Sequence, residues 1–502
     1  MDMSPAQIQR IMAEATRTVA EELSDVSIAV DGELPIGLDG VLFRNGPGRF
    51  ERGGRRYGHP FDGDGHIVRL DIGPHGVRYR NRFVRTDEYL VEERAGRMRY
   101  RGLGTNLPGG VLGNVLRFHT KNPANTNVIW HGGRLLALWE GGPPHRLDPY
   151  TLETLGKEDF AGQLQNRFSA PGRWLTPLMP FSAHPSLDAV TGELVNFGIL
   201  FGPPDRLMIY RVDGDGRMAP PQAFELPRFS FVHDIAVTPR WLCVLLPYAE
   251  FDLPRVFLGR ATVLGSLKLD TDRPMQALLI PREGGEPRLI ETLSGFVFHV
   301  AQAFDREDGA LVLDVIRYGR FPAVDDMADL FAEPNQDLVP HLERLELDPD
   351  RRHCRARRWG ERAAELPTAL PGSLGVEHRI LYSVGAPPGR EMPYLTSIQR
   401  LDTVTGDMRF YDLGPDLPSE PLPVPGPDGE EAWLLSLVYR AGQDRSDLLV
   451  LRAADLEVVA VAKLPHAVPF GFHGNWVPRA ALASDALFRD ADPNRGAEAQ
   501  TR

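Results

Sequence analysis

A succession of short apolar segments separated by turn residues most strongly constrains the fold of this 502-residue chain. Fifty glycines and 44 prolines supply the breaks, and strands are indicated by runs such as GELVNFGIL, WLCVLLPY and GALVLDVIRY. In a loose repeat, a strand ends in Leu-Asp, turns and returns as a second strand, as in LDAVTGELVNFG and LDTVTGDMRFYDL. This repeat is typical of the outer hairpin of a four-stranded blade, and about 50–70 residues per blade corresponds to about seven blades. The sequence therefore predicts an all-β, seven-bladed β-propeller.

The predicted organisation is a single propeller domain over residues 23–483, with helices and loops capping its active-site face. Residues 1–22 lack the uninterrupted apolar region of a signal peptide and are predicted to form an amphipathic helix or extension. Residues 484–502 turn to charged and small side chains and are predicted to be a flexible tail. No convincing linker interrupts the chain, so one domain is expected.

Composition limits the partners and the metal ligands. The formal net charge of −12 and the lack of a long basic run argue against a nucleic-acid partner. With only Cys243 and Cys354, the chain has no disulfide framework and no thiolate cluster, which fits a reducing compartment, and we expect a cytoplasmic protein. A bound metal would therefore need nitrogen or oxygen ligands.

Two interpretations fit residues 248–269. The segment mixes apolar residues such as Phe257 and Leu258 with the basic residues Arg255 and Arg260. This composition is typical of an apolar patch that dips into lipid with basic residues at its rim, and it predicts peripheral membrane contact. A helix and loop packed on the body of the protein explain the same composition equally well.

Four histidines occur in similar apolar or aromatic settings: His184 in FSAHP, His233 in FSFVHDIAV, His299 in FVFHVAQAF and His473 in FGFHGNWV. Burying an imidazole is costly unless its ring nitrogens are engaged, and neutral imidazole is the commonest metal ligand. A single histidine of this kind is more often a satisfied core residue, but four of them favour one shared metal. The innermost strands of a propeller converge on its axis, which would bring such distant residues together.

Over most of its length the chain resembles the carotenoid cleavage oxygenases, which include apocarotenoid oxygenases, stilbene-cleaving enzymes and the retinal pigment epithelium isomerohydrolase. The resemblance is carried, in chain order, by GVLFRNGPGRF, HPFDGDGHIVRL, LLALWEGGPPHRLDPYTLETLG, FSAHPSLDAVTGELVNFG, FVHDIAVTPRW, FHVAQAF and VPFGFHGNWVP. It implies a seven-bladed propeller that holds one ferrous iron per subunit on its axis through His184, His233, His299 and His473. It also implies dioxygen as co-substrate and no organic cofactor.

The resemblance further implies residues that surround the metal. Glutamates that orient the histidines match Glu140, Glu365 and Glu420, with Glu377 as the alternative to Glu365. Metal-bound histidines commonly donate their second N–H to such a carboxylate, which fixes the tautomer. Thr126 matches a residue whose methyl group faces an open iron position, although a threonine in an Asn-rich turn has the same sequence context.

The implied reaction inserts both atoms of dioxygen across a conjugated double bond of a carotenoid or apocarotenoid, giving two carbonyl products. An apolar substrate tunnel would be lined by aromatic side chains, for which the candidates are Tyr100, Phe118, Trp139, Phe231 and Phe298. Trp139, next to Glu140, resembles the apocarotenoid branch. Tyr100 lies near the position of a phenol-binding tyrosine, so a stilbene substrate remains an alternative.

Three other functions compete with this interpretation. A non-enzymatic propeller scaffold would show the same strands and turns, because a fold does not determine a function, but it gives no reason for four histidines in apolar settings. A calcium-dependent hydrolase would need carboxylate and carbonyl oxygens rather than imidazoles. Within the family, an isomerase could use the same metal as a Lewis acid and would not consume dioxygen.

Overall fold

The computed structural model describes residues 4–117, 119–168, 176–321, 338–372, 375–389, 395–426 and 428–482. Phe118 and the predicted tail at 484–502 lie outside the described residues. Within those residues the chain is mostly β, as the sequence predicts. No helix in the described part of the chain is both long enough and apolar enough to cross a membrane.

The strands are numbered in chain order. The earlier strands are β1 (Val26–Gly32), β2 (Gly40–Arg49), β3 (Glu51–Arg52), β4 (Arg55–Arg56), β5 (Asp64–Gly73), β6 (Gly76–Phe83), β7 (Asn127–His131), β8 (Arg134–Leu138), β9 (His145–Leu147), β10 (Thr154–Lys157), β11 (Ser186–Leu187), β12 (Leu194–Leu200), β13 (Arg206–Val212), β14 (Gln222–Glu225), β15 (Ala236–Val237) and β16 (Trp241–Leu246). The later strands are β17 (Tyr248–Phe251), β18 (Leu267–Asp270), β19 (Pro274–Pro281), β20 (Arg288–Ser294), β21 (Phe296–Asp305), β22 (Leu311–Tyr318), β23 (His341–Asp348), β24 (His353–Thr368), β25 (Ile380–Gly385), β26 (Ser397–Asp402), β27 (Met408–Asp412), β28 (Leu417–Pro418), β29 (Leu422–Pro425), β30 (Glu431–Arg440), β31 (Arg445–Arg452), β32 (Val458–Lys463) and β33 (Gly474–Pro478).

Antiparallel four-stranded units follow one another along the chain. Strands β7 to β10 form one unit and β11 to β14 the next, each in sequence order. The third unit has the order β15-β16-β19-β20, and the hairpin β17-β18 is inserted between its second and third strands. Strands β21 to β27 form a seven-stranded sheet in sequence order, in which the long strand β24 pairs with β23 through its first part and with β25 through its last part.

The two ends of the described chain meet in one large sheet. Its order is β28-β30-β31-β32-β1-β6-β5-β2-β33, and β29 also pairs with β30. Strand β1 pairs with β32 on one side and with β6 on the other. An N-terminal strand therefore lies between C-terminal and N-terminal hairpins, which covers two strand edges that would otherwise be free to pair with another chain.

Neighbouring units pack face to face, and for that reason their strands are apolar on both faces. Successive side chains of a strand point to opposite faces. In β16, Val244 and Leu246 belong to a buried cluster with Phe197 of β12, whereas Leu245 belongs to another with Leu313 of β22. Burying one such side chain fully contributes about 1.5–3 kcal/mol. The WLCVLL run is thus explained by a sheet that is covered on both sides.

Short helices connect and cover the sheets: α1 (Pro5–Ala15), α2 (Asp87–Ala95), α3 (Gly110–Asn114) and α4 (Leu253–Phe257), with 3₁₀ turns at Pro60–Asp62 and Leu264–Ser266. Helix α1 begins after Ser4, whose hydroxyl accepts a hydrogen bond from the Gln7 backbone while the Gln7 side chain accepts one from the Ser4 backbone. Ile11 and Ala15 of this helix pack on Tyr439. Helix α1 thus lies within the predicted N-terminal extension.

Helices α3 and α4 lie in surface segments that are bonded to each other. The backbone N–H of Leu116 donates to the carbonyl of Phe257 at 3.0 Å. The buried guanidinium of Arg101 donates to the carbonyls of Val256 and Ala261 at 2.9 and 2.7 Å. These bonds join the two segments into one surface region. A cap over the active-site face stays a prediction.

Candidate metal centre

The four histidines singled out in the sequence lie together. The ring centroids of His184 and His233 are 4.3 Å apart, and those of His184 and His473 are 4.7 Å apart. The His299 ring lies 5.1 to 5.3 Å from the other three. One potential ligand atom from each of His184, His233 and His299 lies within 4.8 Å of the other two. The fold therefore gathers four imidazoles at one point.

Each histidine lies in, or just before, the edge strand of a sheet: His184 before β11, His233 before β15, His299 in β21 and His473 before β33. In β21 the register with β22 shifts between Val297 and Val300, so His299 lies in a local irregularity of the sheet. Such bulges re-aim side chains and are common next to active sites. The sheet irregularity thus helps to direct His299 to the centre.

Glu365 faces His299. The His299 Nδ1 atom lies 2.6 Å from Glu365 Oε2, and the Tyr318 hydroxyl donates to Glu365 Oε1 at 2.8 Å. The backbone N–H of Leu366 donates to the same carboxylate at 2.5 Å. Leu366 has a positive φ of 49°, an uncommon conformation for a residue with a branched side chain. The chain therefore bends locally at a residue that holds this carboxylate.

Glu420 faces His473 in a second pair. The His473 Nδ1 atom lies 2.7 Å from Glu420 Oε1. Glu420 Oε2 accepts hydrogen bonds from Arg44 Nη1 and from the Gly474 backbone, both at 3.0 Å. A Cβ on Gly474 would lie 2.5 Å from the Arg44 side chain. Glycine is required there because Arg44 Cδ and the Phe43 carbonyl oxygen would each lie 2.5 Å from a Cβ.

Glu140 lies between two of the histidines. Its Oε1 atom is 3.2 Å from His184 Nε2 and 3.7 Å from His233 Nδ1. The Ser182 hydroxyl donates to its other oxygen at 3.2 Å. In His233, as in His299 and His473, the Nδ1 side of the ring faces a carboxylate. An N–H donated from Nδ1 leaves the Nε2 lone pair free for a metal.

The electrostatics of the two tightest pairs differ. Burial lowers the pKa of His299, but the facing Glu365 outweighs burial and the net pKa is raised. Burial dominates at His473 and lowers its pKa to about 4 despite Glu420. Burial raises the pKa of both glutamates, yet the imidazoles and hydrogen-bond donors outweigh it and hold each below its usual value. Both carboxylates are therefore ionised acceptors.

His233 shows the effect of burial without a close partner. Burial and the neighbouring histidines lower its pKa well below the ordinary value. The ring is therefore neutral at pH 7, which is the form that binds metals.

The residues of the centre fit a metal ion. The Nε2 atoms of His184 and His299 are buried and make no hydrogen bond, although Glu140 Oε1 lies 3.2 Å from the His184 atom, and buried polar groups are rarely left in this state. A cation with nitrogen ligands would satisfy both atoms. The donor set contains imidazoles without thiolates, and imidazole suits iron, zinc, copper and nickel rather than calcium.

An aromatic cluster lies beside His233. The Phe298 ring is 4.8 Å from the His233 ring and nearly perpendicular to it. Phe296 and Phe321 pack on Phe298 at 4.7 and 6.0 Å, and Phe231 packs on Phe296 at 5.8 Å. The predicted tunnel residues Phe231 and Phe298 are thus brought together next to the centre. Phe296 could have been found from its i, i+2 spacing to Phe298, which places both on one face of β21.

Two predicted residues lie close to the centre in other ways. The carbonyl of Thr126 accepts the backbone N–H of His473 at 3.3 Å. The indole of Trp139 lies over the following glycines, so that a Cβ on Gly141 would be 2.9 Å from the ring and one on Gly142 would be 3.2 Å from it. The Trp-Glu-Gly-Gly sequence, which contains Glu140, is therefore packed as one unit.

Two other candidates have partners away from the histidines. The ring of Tyr100 packs on His119 at 5.1 Å, and His119 lies 2.8 Å from Glu88. Glu377, the alternative to Glu365, is nearly half exposed and pairs with Arg344 at 3.0 Å. In the described structure, Glu365 is the one of this pair of glutamates that faces a histidine of the centre.

Arg44 and Tyr318 contact the site glutamates but were not among the predicted site residues. Arg44 lies in the GVLFRNGPG motif, which was a signal of its importance. Tyr318 ends β22 in the sequence DVIRY, which gives no local sign that its hydroxyl reaches Glu365.

Known proteins are similar to this chain over nearly its whole length. A family described as retinal pigment epithelial membrane protein matches residues 16–478. Apocarotenoid-15,15'-oxygenase of Synechocystis is 36% identical over 89% of this chain and 92% of that protein. Resveratrol cleavage oxygenase 1 of Aspergillus fumigatus is 29% identical over 90% of this chain and 92% of that protein. The solved structure of cobalt-substituted Synechocystis apocarotenoid oxygenase has a TM-score of 0.85 at 33% identity, covering 94% of this chain and 99% of that one.

Proposed function

The chain belongs to the retinal pigment epithelial membrane protein family, and on that basis we propose that it is a non-haem Fe(II)-dependent dioxygenase. It cleaves a conjugated double bond of a carotenoid or apocarotenoid into two carbonyl products. The observation that carries this proposal is the convergence of four imidazoles, three of which face a carboxylate through Nδ1. The chemistry that ferrous iron would supply there is the activation of dioxygen.

The ligands proposed for the iron are His184, His233, His299 and His473, with one ion per subunit. Four neutral imidazoles add no negative charge to the ion, unlike the two-histidine and one-carboxylate set of other non-haem oxygenases. Compensating charge comes from Glu140, Glu365 and Glu420, which orient the rings. Thr126 is proposed to border the open side of the centre, since its carbonyl is bonded to the backbone of His473.

The substrate is proposed to bind along the aromatic cluster beside His233. The surface of a polyene is almost entirely apolar, so its recognition depends on desolvation and aromatic contact. Phe298 contacts the His233 ring directly, and Phe231, Phe296 and Phe321 extend the same surface. Trp139 supports a polyene rather than a hydroxystilbene, because an indole has no positive charge with which to bind a phenolate. The role of Tyr100 and Phe118 in the tunnel stays a prediction.

A stilbene is the second candidate substrate. It is favoured by the 29% identity to a relative named resveratrol cleavage oxygenase and by Tyr100, whose ring is partly exposed. The higher identity to a relative named apocarotenoid-15,15'-oxygenase favours the apocarotenoid.

The architecture proposed for this site is a seven-bladed propeller with the metal on its axis. Counting along the chain, successive units contribute Thr126 before β7, His184 before β11, His233 before β15, His299 in β21, Glu365 in β24, Glu420 before β29 and His473 before β33. One residue from the beginning of each unit is the arrangement expected when the innermost strands surround a common axis.

Peripheral membrane contact is proposed for the surface formed by the α3 and α4 segments. Six apolar side chains there are exposed, and we call them the apolar patch: Val111, Leu112, Leu116, Leu253, Phe257 and Leu258. Leu112 is 89% exposed. Arg255 and Arg260 lie exposed within the same segments. This combination fits a cytoplasmic protein that docks on an anionic lipid surface.

Vesicle sedimentation tests the membrane proposal. Leu112→Glu with Leu258→Glu should abolish binding to vesicles of phosphatidylcholine and phosphatidylserine, because two charges would enter the apolar patch. Val404→Glu is the matched control, since Val404 is 74% exposed in the turn after β26. Equal sedimentation of the patch variant and the wild type would contradict the proposal.

The oxygenase proposal is tested by supplying the purified protein with Fe(II), ¹⁸O₂ and a panel of apocarotenals, full-length carotenoids and hydroxystilbenes. Aldehyde products analysed by mass spectrometry should carry one ¹⁸O atom on each side of the cleaved bond, after correction for exchange with water. Cleavage of the hydroxystilbenes alone would transfer the assignment to the second candidate. Turnover without dioxygen would indicate an isomerase, and a protein that binds no iron would contradict the proposal.

A further inference from the structure

The two buried glutamate–histidine pairs are alike on the side that faces the centre. In each pair a carboxylate oxygen lies 2.6 or 2.7 Å from Nδ1 of the ring. Each carboxylate also accepts one backbone N–H, from Leu366 or from Gly474. All four side chains are buried. The imidazoles therefore receive the same kind of hydrogen bond from Glu365 and from Glu420.

The pairs differ on the side that faces away from the centre. Glu365 is held there by the neutral hydroxyl of Tyr318, whereas Glu420 is held by the cationic guanidinium of Arg44. Arg44 is 3% exposed, and an arginine remains protonated in proteins. The carboxylate of the Glu365–His299 pair therefore has no cation behind it, whereas the carboxylate of the Glu420–His473 pair is neutralised by Arg44.

Arg44 is held rigidly in this position. Its Nη2 donates to the carbonyl of Phe472 at 2.8 Å, next to His473 in the chain. Its Cδ atom lies against Gly474, where a larger residue would not fit. The Arg44 side chain thus lies against Glu420 and against the residues on both sides of His473. It cannot turn away without moving the segment that carries this ligand.

We propose that Arg44 is a positioning residue that acts through Glu420, weakening His473 as an electron donor and so favouring the divalent over the trivalent state of the bound metal. The inference rests on the proposed iron centre. A carboxylate beside a cation is a poorer hydrogen-bond acceptor, so it draws less on the N–H of the imidazole and makes the opposite nitrogen less basic. A nearby positive charge also opposes any further positive charge on the ion directly.

The test compares the Fe(III)/Fe(II) midpoint potential of the iron-loaded wild type with that of three variants. In Arg44→Met the ratio of Fe(III) to Fe(II) affinity should rise by about tenfold, which lowers the potential by about 59 mV for a one-electron couple. Arg44→Lys keeps the charge and should stay near the wild type. Tyr318→Phe removes the neutral hydrogen-bond donor of Glu365 and should shift the potential by less than Arg44→Met.

A second measurement covers the case in which Arg44→Met does not fold. The double variant Arg44→Met with Glu420→Gln removes both charges, and replacing a buried ion pair by neutral groups is often tolerated. Loaded with Co(II), it should show a visible ligand-field spectrum that differs from the wild type, and Tyr79→Phe should not. Tyr79 is the matched control because it is a buried tyrosine on β6 whose hydroxyl bonds to His466.

Each outcome decides one question. An unchanged potential in Arg44→Met, or an unchanged Co(II) spectrum in the double variant, overturns the role of Arg44. If Arg44→Lys shifts the potential as much as Arg44→Met does, the planar shape of the guanidinium matters rather than its charge. That result also overturns the inference. Failure of the wild type to bind iron or cobalt would instead contradict the proposed function.

Discussion

Two of the buried polar clusters in the described residues are satisfied in different ways. At the histidine centre, ring nitrogens of His184 and His299 are left without hydrogen-bond partners. A second cluster, which we call the ionic cluster, consists of Arg52, Asp64, Glu92 and Lys121. Lys121 lies 2.6 Å from Asp64 and 3.1 Å from Glu92, and Arg52 lies 3.1 Å from Asp64. In the ionic cluster every charge thus faces an opposite charge.

The comparison shows which kind of buried polarity indicates a ligand. Two cations and two carboxylates face one another in the ionic cluster, the Tyr57 hydroxyl and Glu93 add contacts to Lys121 and Arg52, and the cluster ties β3, β5 and α2 together. At the histidine centre, Glu365 and Glu420 lie on the Nδ1 side of His299 and His473, whereas Glu140 lies 3.2 Å from Nε2 of His184. Burial of polar groups is common to both clusters. The histidine centre is distinguished by imidazoles from distant parts of the chain that converge on one point, with ligand atoms of three of them within 4.8 Å of one another.

The largest expected effect is the loss of a histidine. We expect His233→Ala or His473→Ala to lose most of the bound iron and more activity than the roughly 10–100-fold typical of outer partners, because a ligand is removed outright. Metal analysis of the purified protein and product formation measure the two effects. Retention of iron and activity in both variants would refute the assignment of the centre.

A substitution in the ionic cluster should lower the free energy of unfolding instead of the iron content. Lys121→Met removes one of the two cations that face the buried Asp64 and Glu92, and the excess buried negative charge should lower the free energy of unfolding by about 3–5 kcal/mol. The folded fraction should still bind iron in the wild-type ratio. Lys463→Met is the matched control: its pair with Asp31 is partly exposed and should contribute at most about 1 kcal/mol. Loss of iron from folded Lys121→Met protein would show that the clusters are coupled.

Added metal should stabilise the folded protein through the histidine centre and not through the ionic cluster. A ligand at about 100 times its Kd stabilises the folded state by about 2.7 kcal/mol, so Fe(II) under anaerobic conditions should raise the Tm of the wild type. The same addition should leave His299→Ala unchanged, while folded Lys121→Met should gain as much as the wild type. A rise in Tm for His299→Ala equal to that of the wild type would place the metal elsewhere.

The smallest effect is expected for an orienting glutamate. Glu365→Gln keeps the shape of the side chain but removes the charge that faces His299, and activity should fall by about 10–100-fold. Glu377→Gln is the matched control, because Glu377 pairs with Arg344 at the surface, and it should stay near wild-type activity. The reverse result would mean that Glu377 is the functional residue.

Much of the fold and the centre was accessible from local sequence patterns. Alternation of strands and turns predicts a mostly β chain, and the resemblance to the carotenoid cleavage oxygenases is confirmed by the family match. The four histidines stand out because each lies in a short apolar setting, where an imidazole needs a partner. The resemblance points to Glu365 with Glu377 as the alternative, and in the structure it is Glu365 that faces a histidine.

Only the tertiary structure shows which residues contact the glutamates of the centre. Arg44 and Glu420 are 376 positions apart, and Tyr318 and Glu365 are 47 apart, so no short pattern joins either pair. The same holds for Phe321 in the aromatic cluster and for the indole of Trp139 over its glycines. Sequence periodicity reports which face of a strand is buried, because that depends on neighbours along the chain. Which side chains meet at the histidine centre depends on how distant strands pair into sheets, and those pairings set the electrostatic character of the centre.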